Sequence, residues 1–245
     1  MILDVYKDSL EYSIKDGMTL AKIGLMILLS FLIIPAFLLA GYRYRVIKTA
    51  INGMINGDET LPPVDDLTSM FIDGLKVTLV QIIYLILPIL ILLVVIFGST
   101  VLSAISPAAG ALFLVIGGLV GIILLIVCAL AGMMAVTHMA ANDGSIHAAF
   151  DIKEIFHIIK TIGWLRYIVY YIGIAIISSL IMVIGGICIA ALLGVFGIIS
   201  SVIPVASVAL AVILGIITII ILLLIEAYTE IVWSRVIGLL YNMRE

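Results

Sequence analysis

Apolar residues in this chain come in runs long enough to cross a bilayer. Residues 77–97, 111–136, 164–191 and 205–225 are almost uninterrupted. A helix needs about 20 apolar residues to pass a hydrocarbon core of about 30 Å. A fifth run, 18–42, is borderline because its middle holds Pro35 and its start holds Lys22. Polar residues gather between the runs, where shorter patterns begin. Leu67, Met70, Phe71 and Gly74 fall at i, i+3, i+4 and i+7, as do Ile152, Ile155, Phe156 and Ile159. That spacing predicts one helical face for each set. Asp151 with Glu154 suits a capping box, and Pro62 and Pro63 punctuate the start of the earlier copy.

These patterns read as one unit written three times. DSLEYSIKDG (8–17) aligns with DDLTSMFIDG (65–74), and Arg45-Val46-Ile47 through Asn52 aligns with Arg235-Val236-Ile237 through Asn242. A weaker copy runs from Ala135 to Asn142. Between each opening and closing segment we place one proline turn, at Pro35, Pro107 and Pro204. Proline suits the first turn of a returning helix better than a helix interior. The units are 1–57, 58–144 and 145–245 within a single membrane domain, 1–245. The first return arm, 35–42, would be only about 12 Å long at 1.5 Å per residue, too short to cross. So residues 18–42 are either one spanning helix or a shallow re-entrant hairpin.

Charge weighs those options, because cytoplasmic flanks collect Lys and Arg. None of the 12 positive residues lies in the long-hairpin turns, 98–110 and 192–204. A re-entrant first segment puts all of them on one side. A spanning one moves Lys7, Lys15 and Lys22 across. The re-entrant reading is preferred, with both termini cytoplasmic, although its turn needs hydrogen-bond partners from protein. The fold expected is all-α: a polytopic membrane bundle of four spanning helices plus the N-terminal re-entrant hairpin, with short amphipathic interfacial helices. Five spanning helices is the alternative.

Composition agrees. The chain has 245 residues, 65% of them hydrophobic and 11% charged, with a mean hydropathy of +1.41. The acidic residues Asp4, Asp8, Glu11 and Asp16 rule out a signal peptide over the first 17 positions. No basic stripe points to nucleic acid. Cys128 and Cys188 lie inside apolar runs and read as small hydrophobes.

Candidate chemistry is thin. Ionisable or amide groups in membrane segments are functional candidates by default, and here they are Lys22, Gln81, Glu226 and Glu230. Glu226 and Glu230, at i, i+4, form the candidate polar site at the membrane end, with Arg166 and Arg45 at the same level. Two such carboxylates suit a cation or a proton relay. The plainer reading pairs them with Arg166, Lys160, Arg43 or Arg45. His138, His147 and His157 are spaced nine and ten apart, wrong for zinc, and read as solvated connector residues. No nucleophile–base pair, cofactor motif or metal motif is present, so no enzyme is expected. Gly117/Gly121 and Gly186/Ala190/Gly194 permit close helix contact in lipid, within the chain or, alternatively, between copies as a homo-oligomer. Tyr42, Tyr44, Trp164, Tyr167, Tyr228 and Trp233 read as an interfacial aromatic belt. The loop Leu61–Asp66 is the expected partner-binding segment, and the amphipathic faces either lie on the leaflet or pack on one another.

At GYRYRVIKTAINGMINGDETLPPVDDLTSMFIDGLK (41–76) the chain resembles an uncharacterised membrane-protein family, domain of unknown function 4013. The Gly-Tyr-x-x-Arg, Leu-Pro-Pro-x-Asp-Asp and Asp-Gly-Leu-Lys elements carry the resemblance; residues 148–167 are similar in style. It implies a mainly archaeal membrane protein of the cell (cytoplasmic) membrane and brings no activity, cofactor or catalytic residue. Two functions remain: a non-enzymatic scaffold that organises lipid or a partner through its cytoplasmic face, or a transporter or channel for a small or lipid-like solute. The lack of polar groups near mid-membrane favours the first.

Overall fold

The computed structural model describes residues 2–202 and 207–244. Every element among them is a helix. Pro204 and Val205, the expected third turn and the first residue of the last apolar run, lie outside the described residues. The helices are α1 (Ile2–Ser13), α2 (Gly17–Leu28), α3 (Ile33–Asn52), α4 (Leu67–Ile105), α5 (Pro107–Ala141), α6 (Ile146–Ala149), α7 (Ile152–Ile162), α8 (Trp164–Val202) and α9 (Ser207–Tyr241), closed by a 3-10 turn (Asn242–Arg244). Four of them, α4, α5, α8 and α9, are long and apolar enough to cross a membrane.

Local chemistry sets these boundaries. Pro107 opens α5, and the Ser106 hydroxyl accepts from the Ala109 N–H at 3.4 Å, as a capping side chain should. Asp151 caps α7 by accepting from the Glu154 N–H at 3.1 Å. Gly163, at φ +95°, breaks the chain between α7 and α8, a conformation glycine adopts without a Cβ clash. Residues 18–42 are not one continuous helix. They break at 29–32 between α2 and α3, and Pro35 falls in the first turn of α3. Pro88, unlike Pro35 and Pro107, does not mark a helix start. It lies buried inside α4, which continues through it, as membrane helices tolerate where neighbouring groups satisfy the freed carbonyl.

Two amphipathic expectations change. Residues 67–74 are the first turns of α4, not a separate interfacial helix. Their buried positions, Met70 and Gly74, pack on α3. There the backbones nearly touch: a Cβ on Gly41 would overlap the Met70 carbonyl, and one on Gly74 would overlap that of Phe37. In α7 the buried face is Ile155, Ile158, Ile159 and Ile162, while Ile152 and Phe156 stay exposed. This face packs into the core instead of lying on lipid.

The core sits at one end of the bundle. It joins α1, the start of α4, α7, the far ends of α3, α5 and α9, and the near end of α8, through Val5, Tyr44, Val80, Met134, Met139, Ile159, Tyr167, Val232 and Val236. α4 and α5 pack against each other, and the other long hairpin meets them chiefly through the ends of α5 and α9. Beyond that end the spans face outward. Leu90, Val94, Val120, Ile123, Val183, Ile187, Ile216 and Ile220 are all exposed. In the most apolar window of the last span 0% of residues are buried.

Glycine usage follows the same division. Gly117 would meet Val95 and Gly121 would meet Leu92, so that pair serves the α4–α5 contact. Gly186 and Gly194 on α8 have no neighbour there, so the expected packing within the chain is not made at this stripe.

Candidate functional site at the charged end of the bundle

Polar residues collect around the core end in three separate places. The first joins α1, the 53–60 loop and α9. Arg235 is fully buried, and its Nε donates to Asp8 Oδ2 at 2.9 Å while Nη2 donates to Glu59 Oε2 at 3.0 Å and to the Met54 carbonyl at 3.2 Å. Its guanidinium also lies 4.4 Å from the Tyr12 ring centroid, close enough for a cation–π contact. The carboxylates close the loop in turn: Asn56 N–H donates to Asp8 at 2.6 Å and Met54 N–H to Glu59 at 2.8 Å. Burial pushes the Glu59 carboxyl up, but the bonds from Met54 and Arg235 outweigh it and hold the group below its usual range. Tyr12 is pushed up to about 12 by burial, partly offset by Arg235.

The second place is the segment around Leu61–Asp66, the expected partner-binding loop. It is pinned. Arg45 donates to the carbonyls of Pro63, Asp65 and Asp66 and pairs with the Asp65 carboxylate at 3.1 Å. Tyr42 and Tyr12 donate to the carbonyls of Pro62 and Thr60, at 3.1 Å each, and Leu61 is buried. Asp66 takes a left-handed conformation, φ +40°, and caps α4 through the Ser69 N–H; Asp tolerates that region better than most residues.

The third place is a cavity of about 260 Å³ between α3, α4, α5 and α9, walled in part by Arg43, Tyr44, Gln81, Met133, Glu230 and Trp233. Glu230 and Arg43 form an ion pair across it.

The four predicted site residues are therefore dispersed. Glu230 takes Arg43, the plainer pairing foreseen. Arg45 is committed to the 63–66 backbone. Arg166 lines a different cavity of about 760 Å³ with Asn242 and Arg244. Glu226 is half-buried and makes no ion pair among the described residues. Helical spacing put Glu226 and Glu230 on one face correctly, but it says nothing about which cations α3 and α8 bring to that face.

Other expectations are also corrected. Tyr42, Tyr44 and Tyr167 are core residues, not belt anchors, and the Tyr167 hydroxyl donates to the Leu130 carbonyl at 2.8 Å. His138 is not a solvated connector; its Nδ1 lies 2.7 Å from the Tyr241 hydroxyl. His147 and His157 are exposed as expected. Among the described residues no His, Cys, Asp and Glu cluster suits a metal ion. The Asp8–Arg235–Glu59 network was missed. Its one visible signal was an arginine placed among apolar residues at the end of an apolar run.

A family model described as a protein of unknown function (DUF4013) matches residues 25–190. The chain belongs to this family. The match covers residues 45–52 and 135–142, the pinned 61–66 segment and most of α8, so the Arg43 and Gln81 sides of the cavity fall inside the family's extent. Arg235, Glu230 and the rest of α9 fall beyond it. No curated protein and no solved structure matches the chain.

Proposed function

We propose that this protein is a non-enzymatic membrane scaffold that organises lipid or a protein partner through its cytoplasmic face. One observation carries the reading. The packed core and its ion pairs gather at a single membrane end, while the outer halves of the spans expose apolar side chains all round. A transporter needs a protein-lined path with polar groups at mid-depth. A scaffold needs a rigid end and a surface to present. Positive charge assigns that end to the cytoplasm, and the α2–α3 pair fits the re-entrant hairpin. Met54 and Leu67, exposed beside the pinned loop, are then available for a partner.

The test pairs two measurements on the full chain. Photo-crosslinking residues at Met54 and at Leu67 should trap a discrete protein or lipid in native membranes. Purified protein in liposomes should pass no ions or small polar solutes. Solute flux above protein-free liposomes, with no crosslink at either position, would replace the scaffold reading with the transporter one.

A further inference from the structure

We propose that the cavity between α3, α4, α5 and α9 holds the phosphate-bearing headgroup of a membrane phospholipid. The inference deepens the scaffold reading, on which it rests for the lipid-organising role. It starts from one buried hydrogen-bond donor with no partner. Arg43 lines the cavity, and its Nε is fully buried without an acceptor, although the same side chain pairs with Glu230. Gln81, on α4, also lines the cavity and is exposed, and its amide has no hydrogen-bond partner among the described residues. The same holds for the indole N–H of Trp233. The one carboxylate there, Glu230, already pairs with Arg43. The buried Arg43 Nε is left without an acceptor.

Depth identifies its source. Lys76, which donates to the Gly144 carbonyl at 3.3 Å, marks the aqueous edge of α4. Gln81 lies five residues further, about 7.5 Å along the helix. That is the boundary between headgroups and hydrocarbon, given interfacial regions of roughly 5–7 Å per leaflet. An amide left bare in hydrocarbon is costly. At this level the abundant acceptors are lipid phosphates and ester carbonyls, and a guanidinium with a free N–H favours phosphate. A volume of about 260 Å³ suits a headgroup and excludes acyl chains, which would run out along the exposed apolar faces of α4 and α9.

Trp233 makes the test direct. In a Trp164→Phe background it is the remaining tryptophan, since the chain has two. The full chain in detergent is titrated with a short-chain phosphatidylglycerol or phosphatidylcholine, with the matching diacylglycerol, and with inorganic phosphate. A saturable change in Trp233 fluorescence with either phospholipid, absent with diacylglycerol, is expected. Gln81→Leu should weaken that response at least tenfold while leaving thermal unfolding unchanged. An equal response to diacylglycerol would overturn phosphate recognition. Saturation by inorganic phosphate alone would overturn the lipid as occupant. A linear response to phospholipid, or a Gln81→Leu response like the parent's, would overturn the site. None of these outcomes depends on liposome flux or on crosslinks at Met54 and Leu67, so the scaffold reading stands or falls separately.

Discussion

At the scale of single residues, buried charge is the costliest feature of the molecule. Arg235 has no exposure and Asp8 almost none, so each relies on the other for solvation. Removing one member of a buried pair typically costs about 3–5 kcal/mol, because the survivor stays buried and uncompensated. Arg235→Met is expected to lower the thermal midpoint in detergent by several degrees, and adding Asp8→Asn should recover part of the loss. Equal midpoints for parent and Arg235→Met would remove the network from the stability of the fold. Glu59 adds a pH dependence with a defined sign. Its folded-state pKa is depressed, so its contribution is fully present above the ordinary carboxylate value of about 4.3. That contribution disappears as pH falls through the lower folded value. Amide protection of residues 53–60 should hold from pH 7 to about pH 5 and drop below about pH 4. In Glu59→Gln the drop should vanish.

At the scale of elements, two kinds of glycine are separated by what surrounds them. Gly41 and Gly74 let α3 and α4 cross with backbones in contact. Gly41→Ala forces the helices apart, at a cost of about 1–3 kcal/mol as for other overpacked sites. Gly186 meets nothing, so Gly186→Ala should be neutral or stabilising by up to about 1 kcal/mol through helix propensity alone. Thermal unfolding of both variants checks the contrast. A Gly186→Ala protein that loses an oligomer seen by native mass spectrometry would instead show that α8 packs against a second copy. The α4 cap is a smaller matter: Asp66→Ala should cost about 1 kcal/mol, read in the same experiment.

At the scale of the whole molecule, orientation is the property on which the functional reading depends. Lys7 is exposed on α1, and Ala108 is exposed at the α4–α5 turn. With Cys128 and Cys188 replaced, Lys7→Cys should be protected from an impermeant thiol reagent in intact cells, and Ala108→Cys should be labelled. Labelling of Lys7→Cys from outside would put α1 and the Asp8–Arg235 network at odds with the charge rule, since that network ties α1 to the end of α9.

The sequence by itself determined the class, the four long apolar spans and the helix starts at Pro107 and Asp151. These depend on composition within one segment: 20 apolar residues specify a span wherever they fall, Pro107 and Asp151 act on their own helices, and Lys and Arg report a side. Tertiary structure alone decided which polar groups meet. Arg235 finds Asp8 across 227 positions, and Arg43 instead of Arg45 finds Glu230. Such pairings follow from how α1, α3 and α9 stack, and nothing in local spacing encodes that stacking. The pinning of 61–66 was hidden for the same reason: proline and aspartate make a segment look loose, and only the approach of Arg45, Tyr42 and Tyr12 from other helices fixes its carbonyls. The cavity at Gln81 lay between these cases. Its polar residues were legible one by one as out of place in lipid, but only the convergence of four helices shows that they share a space and that the buried Arg43 Nε has no acceptor there.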